Sequence, residues 1–416
     1  MTHSSDNVKL GKDELVSRVR FVAVVLAVAT MLIVSPASAR PSQSAPERRL
    51  GLLLEIGIPG AQVNVNGRTA AAGVADVVTE RPMRPKLAFR AGSVTKSFTA
   101  TVVLQLVAER RLRLGDTVER WLPGVLPYGD AVTVRALLQH TSGVPDYWEA
   151  GPDPLNISFV NDAAVRAQTF APLELVNRVS GEPPDFAAGS RVEYSNTNYL
   201  LLGQIVEAAT GKPLDREVTR RILRPLRLHD TKFPTTSPAL PNPFTRGYSS
   251  LFDADGLPAE GSVVDVTEYN PSGLWAMGNV VSTLEDLRTF YGALLGGRLL
   301  PAHLTALMKQ TRPNQTAEWP EGIGMGLGIW SWDLPCGKRI YGHEGEVPGS
   351  NTWAFGTANG RRMVVMQHNL LYLNWDRWFD TVLPTYFSFW CDRSASSAVG
   401  GARPRSSLHA ASRVSF

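Results

Sequence analysis

Strand-like segments lie at both ends of this chain and helical ones fill the middle, an order that restricts the fold more than any other feature. On the N-terminal side GAQVNVNGRTAAAGVAD alternates around an Asn66-Gly67 turn, the pattern of a β-hairpin. Towards the other end GLGIWSW, KRIYGHEG, NTWAFGT and RRMVVMQHN read as strands, with the helical TLEDLRTFYGALLGG before them and a last helix over 374–390. Between the two sets, VTVRALLQHTSG and YLLLGQIVEAATG have helical spacing, the second stopped by Gly211. The expectation is an α/β (α+β) fold with a sheet built from both ends, at about 50–113 and 275–391, and a mainly helical part at about 114–274. Residues 40–50 read as a short ragged start.

The first 39 residues stand outside this core. Lys9, Lys12, Arg18 and Arg20 precede the apolar run 21–34, which ends in Ala37-Ser38-Ala39, the order of a secretory signal cut after Ala39. An uncleaved anchor is the other reading, but this run falls short of the roughly 20 residues that a spanning helix needs. A secreted, extracytoplasmic protein without a stable membrane span in the mature chain follows. The tail 392–416 has little to bury and reads as disordered. Leader and tail carry all of the formal net charge of +4, which leaves residues 40–391 neutral and argues against a nucleic-acid partner. Cys336 and Cys391 are the only cysteines. In an oxidising compartment they could pair, for roughly 4 kcal/mol on the chain-entropy model, or they could remain two buried thiols.

FRAGSVTKSFTA places Ser93 and Lys96 three apart at the start of a helix whose apolar residues Phe98, Val102, Val103, Leu106 and Val107 share one face. A serine attacks only after passing its proton to a base, and a lysine stripped of water can have its pKa lowered enough to take it. An exposed Lys beside a capping Ser is the ordinary meaning of such a pair, yet no other lysine here has a Ser three residues before it. Tyr194 and Asn196, two apart in an extended segment, offer a phenol and an amide to one side. In YGHEGEVPGS, His343 stands on a strand, Gly345 would let a ligand approach the backbone, and the Glu346 amide could hold an oxyanion with the Ser93 amide. A lone strand His is more often structural, and Val347 rules out a His-Glu-x-x-His zinc site. GIGMGLG lacks dinucleotide-binding spacing, and no Gly-x-Ser-x-Gly elbow surrounds Ser93.

These three pieces, with the longer runs ALLQHTSGVPDY, YSNTNYLLLGQIVE, LRPLRLHDT, MGNVVSTLEDL and WDLPCGKRIYGHEG, resemble the penicillin-recognising serine hydrolases. That family includes class C β-lactamases, related esterases and, most similar here, secreted D-alanyl-D-alanine carboxypeptidases; the likeness runs over about 55–391. The resemblance implies a β-lactamase/transpeptidase-like fold, an antiparallel sheet flanked by helices with an inserted helical domain. It implies that Ser93 is acylated, Lys96 takes its proton, Tyr194 exchanges protons with the leaving group, Asn196 holds the substrate amide and His343 completes the proton network. His140 reads as a loop stabiliser. It also implies a Cys336–Cys391 disulfide, no metal, no organic cofactor, and a monomer acting on cell-wall peptides, β-lactams, amides or esters. An esterase, a D-aminopeptidase-like hydrolase and a catalytically poor penicillin or peptidoglycan receptor are the alternatives.

The third motif departs from the family. The similar carboxypeptidases have His-Thr-Gly-Thr and an Arg that clamps a terminal carboxylate, where this chain has Glu344, Glu346 and Trp330. By strand alternation both carboxylates face one side and would repel a third, which moves the expected ligands from C-terminal D-alanine towards neutral or cationic ones. The alternative is that Glu344 turns to solvent or pairs with Arg339.

Overall fold

The computed structural model describes residues 44–391 except 152–153, 254–255, 315–319 and 372–376. The expected leader and tail therefore lie outside the described residues. The chain starts as a helix, Ala45–Glu55, and not as a ragged end. Ser44 and Glu47 cap it reciprocally: Ser44 Oγ accepts from the Glu47 amide at 3.4 Å, and Glu47 Oε2 accepts from the Ser44 amide at 2.7 Å. Burial of Leu50 and Leu53 docks this helix on the sheet.

Strands from both ends do meet in one sheet. The N-terminal set is β1 (Gly60–Val65), β2 (Arg68–Asp76) and β3 (Arg81–Pro82), followed by a two-residue strand, β4 (Phe89–Arg90). In the middle stretch the structure adds a hairpin, β5 (Tyr248–Phe252) and β6 (Pro258–Asp265), and then β7 (Val281–Ser282), which pairs with β4. The C-terminal set is β8 (Arg312–Pro313), β9 (Ile323–Met325), β10 (Trp330–Asp333), β11 (Arg339–Val347), β12 (Ser350–Gly356), β13 (Met363–His368) and β14 (Leu370–Leu371). The large sheet runs β3-β2-β1-β13-β12-β11-β10-β9-β8, antiparallel throughout, and β14 joins β5 and β6 in a small second sheet. Helix Leu284–Leu295 packs on β12 and β13 from one face. From the other, Ala45–Glu55 and the C-terminal helix cover Trp332, Trp353 and Phe355.

Two details of this sheet position the site. Strand β10 pairs with β11 only over Arg339–Gly342, so from His343 onward that edge of β11 is free of a strand neighbour. It meets the 3₁₀ turn Gly92–Val94, which leads directly into helix Thr95–Ala108. This helix is not amphipathic as its pattern suggests: every residue from Thr95 to Leu104 is buried. Its polar residues survive burial because each hydroxyl finds a carbonyl, Ser97 at Gly328 (2.7 Å), Thr99 at Ala276 (2.8 Å) and Thr101 at Ser97 (2.6 Å). Cys336 and Cys391 form a disulfide, tying the turn before β11 to the end of the C-terminal helix. Among the described residues, no helix is long and apolar enough to cross a membrane.

Candidate active site

Gly92 has φ of +56°, a left-handed conformation that bends the chain sharply before Ser93. A Cβ there would also stand 2.8 Å from the Glu346 nitrogen, so glycine lets the turn lie against β11. Gly345 does the same from the other side. Its open face is filled not by a ligand, as its motif suggests, but by the Ala91 carbonyl, which any side chain at 345 would overlap. The glycine pair locks the turn carrying Ser93 to the strand carrying Glu346.

Lys96 is fully buried and its Nζ lies 2.9 Å from Ser93 Oγ. It also donates to Asn196 Oδ1 at 2.7 Å and to the Met277 carbonyl at 3.0 Å. Desolvation lowers its pKa well below the usual lysine value, and the charge of Asp146 opposes this only in part. A neutral amine fits the same three contacts: two N–H groups serve Asn196 and Met277, and the lone pair faces the serine hydroxyl.

Tyr194 closes the cluster. Its ring centroid lies 4.9 Å from Lys96 Nζ, and together with Ser93 it lines one cleft. Burial raises its pKa well above the ordinary phenol, so the group stays a proton donor at neutral pH. His140 stacks on this ring at 4.3 Å, and its Nδ1 accepts from the Ser195 amide at 3.2 Å, which fixes the segment that presents Tyr194 and Asn196. His343 packs against Trp330 at 4.7 Å; its Nδ1 contacts the Glu344 carbonyl, which can only accept, so the proton sits on Nδ1. Burial pushes its pKa down to about 3, leaving the ring neutral.

The structure adds residues that no spacing in the sequence marks. Asp146 is half-buried, accepts from Asn196 Nδ2 at 2.8 Å, and so orients the amide that holds Lys96. Asn351, opposite Glu346 on β12, donates through Nδ2 to both Glu344 Oε1 (3.0 Å) and Glu346 Oε1 (2.6 Å). Its oxygen accepts from the Trp353 indole, which sets the orientation of the amide. Glu344 is 5% exposed and does not turn to solvent. Nor does it pair with Arg339, which holds Asp333 at 2.6 Å instead. Two clefts open at Ser93: one is lined by Trp148, Asn196, Leu274, Met277, Val347 and Pro348, the other by Tyr194, Trp330 and Glu344, and Glu346 borders both. Among the described residues no group of three His, Cys, Asp or Glu side chains could hold a metal ion.

With this geometry in view, comparison with known proteins is specific. Penicillin-binding protein 4 of Amycolatopsis lactamdurans is 31% identical over 343 residues, covering 76% of this chain and 84% of that protein. Esterase EstB of Burkholderia gladioli is 39% identical over a shorter stretch, 40% of this chain and 44% of the esterase. A D-stereospecific amidohydrolase from Streptomyces sp. superposes with a TM-score of 0.73 at 34% identity, covering 84% of this chain and 99% of that one. The D-amino acid amidase of Ochrobactrum anthropi SV3 gives a TM-score of 0.70 at 27% identity, over 83% and 99%. Residues 45–383 match the Beta-lactamase family model, and on sequence and fold together the chain belongs to that family of serine hydrolases.

Proposed function

We propose that this protein is an exported hydrolase that cleaves amide and ester bonds through an acyl-enzyme on Ser93. One observation carries the reading: a fully buried lysine, with no carboxylate in direct contact, sits 2.9 Å from a serine at the mouth of two clefts. Neutral Lys96 takes the Ser93 proton as Oγ attacks the carbonyl carbon. The negative charge that develops on the carbonyl oxygen is held by the backbone amides of Ser93 and Glu346, which the glycine contact keeps adjacent. The Tyr194 phenol passes its proton to the departing amine or alcohol and is reprotonated by the Lys96 ammonium, which returns the amine to its neutral form. Water then releases the acyl group by the reverse route. Asn196 gives Oδ1 to Lys96 and one N–H to Asp146, which leaves one N–H for the substrate.

Among family activities, amide and ester cleavage is favoured over removal of a free C-terminal D-alanine, because Trp330 and two glutamates line the cleft where a carboxylate would need a cation. The names of the Streptomyces amidohydrolase, the Ochrobactrum amidase and the Burkholderia esterase agree with that preference. Export rests on the leader-like N-terminus and on the disulfide, which persists in an oxidising compartment.

The test is intact mass of the protein with a reporter penicillin and with a short D-aminoacyl ester, Ser93→Ala alongside. A Ser93-dependent adduct or product is expected from each reagent. Turnover that survives Ser93→Ala would refute the reading, and an adduct that never clears would make the protein a receptor.

A further inference from the structure

The cleft lined by Ser93, Tyr194, Trp330, Glu344 and Glu346, open at its mouth, has an unusual charge arrangement for a site of this chemistry. Two carboxyl groups sit side by side on β11 and share one amide, that of Asn351. Among the described residues no Lys, Arg or His side chain pairs with either one: Arg339 is committed to Asp333, and the adjacent His343 turns its Nδ1 to the Glu344 backbone carbonyl and is kept neutral by burial. The third wall is the indole of Trp330, 3% exposed, and an indole face attracts cations. A carboxyl pair without a counter-ion beside an aromatic wall is a receptor for positive charge. The side of the cleft is also determined: Tyr194, which serves the departing group in the proposed mechanism, lines this cleft, whereas Asn196 lines the other.

From this juxtaposition we infer that Trp330, Glu344 and Glu346 form a subsite for a cationic leaving group, so that the substrates are amides or esters whose departing amine or alcohol carries an ammonium. The inference rests on the acyl-enzyme reading for which side of the scissile bond lies here, but not for the binding itself. Ionisation of the pair sets its strength. Burial raises both carboxyl pKa values, that of Glu344 to about 7, and the charge of Glu344 raises Glu346 further. The two carboxyls titrate as a coupled pair, which gains negative charge as pH rises. The other ionisable groups that feel Glu344 are the phenols of Tyr194, from the segment before helix Thr197–Thr210, and Tyr386, from the C-terminal helix. Burial raises both phenols, so neither supplies a charge of its own near pH 7.

Three compounds with one acyl group test this: N-acetyl-D-alanine joined to ethylenediamine, to propylamine and to glycine. Their departing parts are close in size and carry a positive charge, none and a negative charge. Calorimetry on the full-length Ser93→Ala protein reads binding without turnover. The ethylenediamine compound is expected to bind at least tenfold tighter than the propylamine compound, with the glycine compound weakest, and its advantage grows as pH rises through about 7. Glu344→Gln/Glu346→Gln in the same background reduces the cationic-to-neutral ratio to about one. Equal binding of the three compounds, or a ratio untouched by the double substitution, overturns the subsite. Turnover by the protein with Ser93 intact is read separately: a cationic preference in binding without any Ser93-dependent hydrolysis keeps the subsite and removes the acyl-enzyme reading.

Discussion

In the proposed mechanism Lys96 works as a base only while water is kept from it, and its contacts allow this with uncharged acceptors, an amide oxygen and a backbone carbonyl. Lys96→Met should keep the fold and reduce Ser93 acylation by about 10² to 10⁴-fold, the range for loss of a positioned base, as followed by adduct formation over time. Asp146 raises the Lys96 pKa through its charge. Asp146→Asn should therefore shift the acidic limb of kcat/KM to lower pH, since the neutral amine then persists further down the scale; an unmoved limb would assign Asp146 a purely structural role. The glutamate pair predicts a stability effect of definite sign. With folded pKa values raised above the ordinary 4.5, the native state holds more protons than the unfolded chain between that value and about 7, so this contribution is lost as pH climbs through the window. Buried neutral His140, His343 and His368 have lowered pKa values and act in the opposite sense, so the measurement is a difference. Relative to Glu344→Gln/Glu346→Gln, the unmodified protein should lose denaturant resistance as pH rises from about 4.5 through about 7. Ser93, Lys96, Tyr194 and Asn196 were legible because each pair lies within one short segment. Asp146 and Asn351 were not, because their partners come from another segment or depend on the register between β11 and β12, which no local spacing encodes.

At the scale of elements, the half-covered edge of β11 is the organising feature. A substituent on Gly345 meets the Ala91 carbonyl, and one on Gly92 meets the backbone of Gly345 and Glu346 while also straining a left-handed turn. Gly345→Ala should destabilise the fold by about 1–3 kcal/mol, typical of overpacking, and lower kcat/KM by about 10²-fold, because displacement of the turn moves Ser93 from its donors. A stability loss without that rate loss would show that the turn adapts. Strands β1, β2 and β10 to β13 were legible from their patterns, and helix Thr197–Thr210 from its spacing and its glycine stop, but the β5–β6 hairpin was not. Helix Thr95–Ala108 was misread as one-sided because the hydroxyls of Ser97 and Thr99 look solvent-facing until carbonyls from distant segments are brought against them, and that of Thr101 until it turns back to the Ser97 carbonyl of its own helix. The first helix was missed although its Ser44-x-x-Glu47 cap stands in the sequence, since a polar, proline-bearing start also suits a loose end.

At the scale of the whole molecule, the sheet closes only when β13 enters between β1 and β12. The disulfide secures the same end of the chain, and Cys336→Ser/Cys391→Ser should cost roughly 2–4 kcal/mol, read as a lower denaturant midpoint. The order of assembly has a consequence for synthesis. Ser93 and Lys96 leave the ribosome well before Glu344, Glu346 and the strand that joins the two halves of the sheet. A growing chain thus carries Ser93 for a long interval without the second wall of its cleft. That serine is matched to its surroundings only once β11 to β13 have been made, and a chain cut short before β13 has the residues of a hydrolase without the means to act as one.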